Sequence, residues 1–296
     1  MKQKQNANMK MNTKRNMIYK SSLIALTAAM LLIPATAFAG GTPSDQVFKL
    51  TNSKGEVVYE EKPYDASMKP YSREDVLRSS KSHSLANELL KEGEAALFYI
   101  AEDNPERRTN MERTSMSFKK ATKLREQLKG QSIKIMDSIQ QKYKFDSASV
   151  TYHPTLSDTE RAKLTDQLEQ QAAQSGKGYA MQKLKLTGKH WNLFSTYKNG
   201  SSELLIQVSK SNEKMTLYRP SVDTGVQREL IKAGGTEMLY SSYSESETQD
   251  FKSSGQGITF VHSIPDSEFH IRYHIEDIGS KLSKQELIKL AESYLK

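Results

Sequence analysis

His270 and His274 are the two residues whose spacing comes closest to a metal-binding motif. On a helix, two histidines four residues apart lie on one face and can share a metal ion. Here residues 269–275 alternate between apolar and polar side chains, which is typical of a strand. Four residues along a strand span about 13 Å, and the guanidinium of Arg272 between the histidines would repel a cation. We therefore predict no metal site and interpret both histidines as part of the solvated polar face of a strand.

The other patterns that could support catalysis are weak. The chain has no cysteine, which excludes thiol nucleophiles, thiolate metal sites and disulfide bonds. Residues 253–257 (SSGQG) have the composition of a loop, not of a nucleophile elbow, and Gly234-Gly235 is an isolated pair. With 35 acidic residues, some carboxylate pair is always available, so such a pair carries no information. We predict a protein that is not an enzyme and has no cofactor, with an unrecognised secreted hydrolase as the second alternative.

The first 39 residues have the three parts of a secretory signal peptide. They contain six basic residues and no acidic one, and an apolar run covers residues 23–33. Ala37 and Ala39 form a small-x-small cleavage site directly before Gly40. The apolar run is shorter than the roughly 20 residues of a membrane span. We therefore predict cleavage between Ala39 and Gly40.

Cleavage would remove most of the positive charge, because the six basic residues account for the difference between +8 and +2. The basic balance is thus no argument for nucleic-acid binding. Residues 183–194 (KLKLTGKHWNLF) interleave basic and aromatic side chains, but an amphipathic hairpin with its lysines in water explains them as well. We predict no nucleic-acid partner and no transmembrane segment after signal cleavage. Export without disulfides favours a secreted, extracytoplasmic protein of a Gram-positive envelope.

Helices and strands are both indicated beyond a polar lead-in at residues 40–45. Residues 46–51 and 56–61 predict a hairpin, and the apolar run at residues 95–101 (AALFYIA) predicts a buried strand. Helices are indicated by serines with an acidic residue three positions later, by an apolar stripe, or by a terminal glycine. These signals are Ser72 with Asp75, Ser157 with Glu160, Ser283 with Glu286, the stripe of Ala121, Leu124 and Leu128, and Gly130 and Gly176.

From Tyr179 onward the hydrophobic period is two, and Asn199-Gly200 predicts a tight hairpin turn. The Ser-rich residues 241–257 predict a long hairpin loop. The closing helix, with Leu287 and Leu290 on its apolar face, is expected to dock on a sheet. Strands are predicted around residues 147–153, 183–186, 191–197, 204–208, 215–218, 228–232, 238–243, 258–262 and 269–275.

Three stretches resemble exported bacterial proteins that carry a C-terminal domain of unknown function. They are residues 93–105 (GEAALFYIAEDNP), 143–154 (YKFDSASVTYHP) and 282–295 (LSKQELIKLAESYL). The domain is also similar to the extracytoplasmic part of anti-sigma-type and sporulation-associated proteins. The resemblance implies the half-barrel of lipoprotein carriers, although Phe260 stands where a tryptophan is usual.

Together these observations predict an α+β fold. A curved, half-barrel-like antiparallel β-sheet with helices packed on one face would occupy residues 141–296, preceded by a smaller α+β region at residues 46–140. We expect a secreted, non-enzymatic binding or regulatory module of the cell envelope, with an envelope protein or a cell-wall polymer as partner. The alternative is an extracytoplasmic carrier or sensor of an apolar, lipid-like ligand in the concavity of the sheet.

Overall fold

A computed structural model describes residues 46–64, 71–219, 226–244 and 254–295. The predicted signal peptide, the lead-in at residues 40–45, and the cleavage residues Ala37, Ala39 and Gly40 lie outside these ranges. The four helices of the described residues are α1 (Arg73–Leu89), α2 (Ala121–Gln127), α3 (Asp158–Ser175) and α4 (Lys284–Leu295). The strands are β1 (Phe48–Thr51), β2 (Val57–Pro63), β3 (Ala95–Ile100), β4 (Thr109–Arg113), β5 (Met116–Phe118), β6 (Ser138–Ile139), β7 (Tyr143–His153), β8 (Tyr179–Lys183), β9 (His190–Asn199), β10 (Ser202–Ser211), β11 (Met215–Arg219), β12 (Val226–Ala233), β13 (Thr236–Tyr243), β14 (Gly255–Ser263) and β15 (His270–Ile278).

The strands form one large sheet and two small ones. The main sheet has the order β12-β13-β14-β15-β10-β9-β7-β5, with β6 also paired to β7, and every pair in it is antiparallel. Its edges β12 and β5 do not pair, so the sheet is not closed. The cover sheet has the order β1-β2-β11, and the side sheet has the order β4-β3-β8. The predicted α+β class with a dominant antiparallel sheet is confirmed.

Helices α2 and α4 pack on one face of the main sheet. Strands β14 and β15 direct alternate apolar side chains to this face, where the rings of Phe260 and Tyr273 stack at a centroid distance of 5.0 Å. Tyr294 of α4 packs on Tyr273 at 5.3 Å, and Trp191 of β9 is completely buried in the same core. The predicted docking of the closing helix on a sheet is therefore confirmed. This filled face gives the apolar-carrier alternative no support.

The central strand of the side sheet, β3, is buried on both faces. Leu97 and Tyr99 of β3 pack against α3, whereas Ala96 and Phe98 pack against α1. This explains why residues 95–101 read as a continuous apolar run instead of an alternating one. All six residues of β3 are buried, as the buried-strand prediction requires.

The predicted helix signals are confirmed. Complete capping boxes begin α1 and α3, with Ser72 and Asp75 in the first and Ser157 and Glu160 in the second. Gly176 ends α3 in the left-handed conformation, which a residue without a Cβ adopts at no steric cost. The hydroxyl of Ser283 accepts from the Glu286 amide, and the Glu286 carboxylate accepts from the Ser283 amide, so α4 begins in the same way.

Several boundaries differ from the expectations. The short strands β4, β5 and β6 were not predicted, because each is held by pairing with β3 or β7 and has no periodicity of its own. Residues 184–186 lie beyond the end of β8. The predicted loop at residues 241–257 is shorter, since β13 continues to Tyr243 and β14 starts at Gly255, and residues 245–253 lie outside the described ranges.

Strand pairing crosses residue 140, where we predicted the start of the C-terminal domain. Strand β3 pairs with β8, β5 pairs with β7, and β2 forms a parallel pair with β11. The division into two regions at residue 140 stays a prediction. The parallel pair brings the N-terminal hairpin onto the far face of the main sheet, and this contact creates the site described below.

Candidate functional site

The polar face of β15 is covered, so the prediction of a solvated face for His270 and His274 is wrong. His270 is only 5% exposed, and burial lowers the pKa of its imidazole, with a further lowering by Arg272. His274 lines a cleft together with Tyr59 and Glu61 of the cover sheet. A sequence pattern that alternates polar and apolar residues does not show whether the polar side meets water or a second sheet.

An apolar contact fixes the cover sheet on the main sheet. Phe48, Leu50 and Val58 of the hairpin pack against Leu239 of β13 and Val261 of β14. Beside this contact the two sheets enclose a cavity of about 340 Å³, which we call the inter-sheet cleft. Its charged and hydrogen-bonding side chains include Tyr59, Glu61, Arg228, Tyr243, Thr259, Arg272, His274 and Glu276.

Arg272 places an uncompensated positive charge in the cleft. Its Nε donates to the Ser209 hydroxyl at 3.1 Å, and its guanidinium carbon lies 5.9 Å from the ring centre of Tyr59. Within the described ranges, no carboxylate lies within 4.0 Å of this guanidinium, and its two terminal nitrogens have no hydrogen-bond partner. Burial lowers the pKa of Arg272, which reflects the cost of removing the charge from water. Four N–H donors are thus available to a ligand.

His274 lies between Arg272 and Glu276 on the same face of β15. Its Nδ1 is 2.8 Å from the hydroxyl of Thr259, the residue directly opposite on β14. Gly257 makes room for the ring, because a Cβ at that position would lie 2.9 Å from the imidazole Cε1. Burial lowers the pKa of His274, Arg272 lowers it as well, and Glu276 raises it. The ring is therefore neutral at pH 7, and because Nδ1 is engaged with Thr259, Nε2 can donate or accept one hydrogen bond.

Glu276 places a negative charge in the same cleft. Its Oε1 accepts from the Tyr243 hydroxyl at 2.7 Å, and no lysine or arginine of the described residues lies within 4.0 Å of its carboxylate. The Tyr243 ring lies directly over Gly255, where a Cβ would approach the ring within 2.2 Å. Gly255 and Gly257 of the predicted SSGQG loop are thus strand residues. Their missing Cβ atoms leave room for the side chains of Tyr243 and His274, respectively.

Glu61, in contrast, is compensated within the protein. Its Oε1 lies 2.5 Å from Nε of Arg228 and 3.6 Å from Nε of Arg219, and its Oε2 accepts from the Tyr59 hydroxyl at 3.2 Å. Burial raises the pKa of Tyr59, and the carboxylate of Glu61 raises it further, so this phenol stays protonated. These contacts link the cover sheet to the main sheet without leaving a charge for a ligand.

The cleft has the chemistry of a binding site. Thr259 and His274 form a hydroxyl–imidazole pair, but nucleophilic catalysis also requires a third group that orients the base. No hydrogen bond joins Glu276 to His274 in the part of the chain that the structure describes, and Thr259 is only 6% exposed. The described residues contain no group of three or more histidine or acidic side chains that could hold a metal ion.

A pH change tests the burial of His274. Because folding lowers the pKa of His274, the unfolded chain takes up this proton first as the pH falls below about 6.5. We expect the free energy of unfolding to decrease between pH 6.5 and 5, by at most about 1.4 kcal/mol per pH unit from this group. Urea unfolding of the wild type and of His274→Gln at several pH values measures this contribution. We expect the free energy of unfolding to change less steeply with pH in the variant.

The charged groups that face His274 are Arg272, Glu276, Glu61 and Arg228. His83→Gln is the control, because the His83 side chain is 67% exposed and lies on α1, away from the cleft. The burial of His274 is contradicted if His274→Gln and His83→Gln change the pH slope equally.

A larger cavity, about 1120 Å³, forms a groove between α1 and α3. Three of its four arginines are paired within the protein. Arg78 contacts Asp75, Arg107 contacts Asp166 and Glu169, and Arg108 contacts Asp75 and Glu106. The fourth, Arg161, also lines a second cavity, next to the end of β7. Because most of these charges are already balanced, the groove offers a ligand less than the inter-sheet cleft does.

The hairpin predicted at residues 183–194 is wrong, because Lys183 ends a strand of the side sheet, residues 184–189 connect the two sheets, and His190 begins a strand of the main sheet. Strand β8 pairs with β3 of the side sheet, whereas β9 pairs with β7 and β10 of the main sheet. Trp191 is completely buried, and Phe194 on the opposite face is 48% exposed. The stretch therefore does not form a row of stacking aromatic side chains.

Comparisons with known proteins leave the chain without an assigned family. No protein-family model, no curated protein and no solved structure matches it. The resemblance to exported proteins with a domain of unknown function stays a prediction. Among residues 46–64, 71–219, 226–244 and 254–295, no helix has the length and apolar character needed to cross a membrane.

Proposed function

We propose that this protein is an exported, non-enzymatic binding module of the bacterial envelope. Its ligand would be a short polar group that carries a carboxylate and is presented by an envelope protein or a cell-wall polymer. The carboxylate would bind Arg272 in the inter-sheet cleft. The observation that carries the proposal is the half-buried guanidinium of Arg272, whose terminal nitrogens lack protein partners among the described residues.

A carboxylate is the natural counterpart of this guanidinium. Two parallel N–H···O bonds from the terminal nitrogens fit the two oxygens of a carboxylate, and such bonds are stronger between charged groups. An unpaired buried charge is costly, so a residue retained in this state favours a ligand that supplies the missing charge. The ring of Tyr59 beside the guanidinium limits where the ligand can approach.

Glu276 gives the cleft a negative charge in addition to the positive charge of Arg272. It lies four residues from Arg272 on β15, which corresponds to about 13 Å along the strand. A ligand with a carboxylate at one end and an amino group at the other would pair with both residues. The neutral imidazole of His274 between them can donate or accept one hydrogen bond. A volume of about 340 Å³ accommodates a ligand of dipeptide size.

Alanylalanine is a suitable probe, since it is short, polar and zwitterionic. Isothermal titration should show saturable binding to the wild type, and weaker binding of N-acetyl-alanylalanine, which lacks the amino group. Glu276→Gln should weaken binding of alanylalanine by about tenfold and leave binding of the acetylated peptide unchanged. Arg73→Gln is the control, because Arg73 is exposed and lies outside the cleft. The proposal fails if neither peptide binds the folded wild type.

Export is supported by the basic and apolar segments and the Ala37-x-Ala39 site of the sequence. Mass spectrometry of the protein from the extracytoplasmic fraction of its host should show a chain that starts at Gly40. An intact chain that still starts at Met1 would contradict cleavage.

A further inference from the structure

We propose that a second cavity, separate from the inter-sheet cleft, binds a tetrahedral oxyanion such as phosphate or a phosphomonoester. This basic pocket has a volume of about 330 Å³ and lies where β7 ends and β9 begins. The residues that carry the inference are Arg113, His153, Arg161, His190 and Glu213.

Two arginine side chains reach the pocket from two different elements. Arg113 ends β4, and Arg161 lies in the first turns of α3. In the described part of the chain, no carboxylate lies within 4.0 Å of either guanidinium, and the Arg161 side chain donates only to the Thr109 hydroxyl at 3.4 Å. Lys210 also borders the pocket, but its Nζ donates to Gln131 at 2.9 Å beside Trp191, on the other face of the main sheet.

The acidic residues nearby do not balance these charges. Glu213 is the one carboxylate among the residues that line the pocket. Glu112 neighbours Arg113 on β4 and raises the pKa of this guanidinium, but burial lowers that pKa by more, and Glu112 itself accepts from Ser82 of α1 on the opposite face. Two guanidiniums and one carboxylate leave an excess of positive charge. Their N–H donors and the two histidines outnumber the two oxygens of a carboxylate, so a tetrahedral oxyanion matches the pocket better than a single carboxylate does.

Two histidines add hydrogen-bonding groups. His153 and His190 are directly opposite each other on β7 and β9. The Nε2 of His153 is buried and has no hydrogen-bond partner among the described residues. Burial lowers the pKa of His153 to about 4, with further lowering by Arg113 and His190. The imidazole is thus neutral at pH 7, and a bound anion would favour its protonation.

This pocket shares no lining residue with the inter-sheet cleft, so its oxyanion binding can be tested independently of the proposed function. Isothermal titration at pH 7 and constant ionic strength should use inorganic phosphate, methyl phosphate, sulfate and acetate. We expect phosphate to bind, acetate to bind at least tenfold more weakly, and Arg113→Gln or Arg161→Gln to weaken phosphate binding at least tenfold. Tighter binding of methyl phosphate than of phosphate would identify a phosphomonoester as the ligand.

Arg73→Gln is the matched control, because it removes the same charge from an exposed position outside the pocket. The NMR signal of His153 gives a second readout, since saturating phosphate should raise the pKa of this imidazole above its value of about 4 in the free protein. The inference is overturned if acetate binds as tightly as phosphate, or if folded Arg113→Gln and Arg161→Gln bind phosphate as the wild type does.

Discussion

Arg272→Met is expected to abolish carboxylate binding and at the same time to stabilise the free protein. The substitution removes a half-buried, partly desolvated charge that has no carboxylate partner among the described residues and replaces it by a shorter, unbranched apolar side chain. We expect affinity for alanylalanine to fall by about 30-fold or more, because two charged hydrogen bonds are lost. The free energy of unfolding should rise by about 1 kcal/mol, since no desolvated charge remains.

Urea unfolding and isothermal titration of the same samples measure the two effects together. Arg73→Met is the control, because it removes a charge from an exposed position and should change neither quantity. A variant that is destabilised by more than about 1 kcal/mol but still binds alanylalanine would show that Arg272 is a structural residue, held by Ser209 and Tyr59.

Trp191→Ala should cause the largest loss of stability, about 3–5 kcal/mol. The side chain is completely buried in the core between the main sheet and its helices, and its Nε1 donates to Gln131 at 3.0 Å. Truncation leaves a large cavity and removes one of the two hydrogen bonds that Gln131 Oε1 accepts, the other being donated by Lys210. Because Trp191 is the single tryptophan of the chain, circular dichroism and not fluorescence must follow the urea unfolding.

Phe194→Ala is the matched control on the same strand. Phe194 is 48% exposed and points to the opposite face of β9, so we expect a loss below about 1 kcal/mol. Equal losses for the two variants would contradict the assignment of Trp191 to the core and of Phe194 to the surface.

Local signals in the sequence predicted most of the elements. The serine and acidic residues of the capping boxes, the terminal Gly176 and the Asn199-Gly200 turn act within a few residues, so they can be recognised without the fold. The continuous apolar run of β3 also predicted burial on both faces. Strands such as β5 and β6 escaped prediction because pairing with β7, and not local composition, makes them strands.

The candidate site was not predictable, because it depends on a long-range contact. Arg272, His274 and Glu276 alternate with apolar residues as on any half-solvated strand. Only the parallel pairing of β2 with β11 brings the N-terminal hairpin over this face and removes it from water. Tyr59 and Glu61 had no distinguishing signal in the sequence. The glycines at 255 and 257 were a usable clue, because a glycine within a strand often marks the close approach of another side chain.

The most direct test of the central claim is to observe the guanidinium of Arg272 by nitrogen-15 NMR while alanylalanine is added. Arg272→Met assigns the signals of this residue, and the exposed Arg73 serves as an internal reference. We predict that the Arg272 signals shift saturably, with the same dissociation constant as in calorimetry, while those of Arg73 stay in place. Arg272 signals that do not move at saturating peptide would contradict carboxylate binding at Arg272.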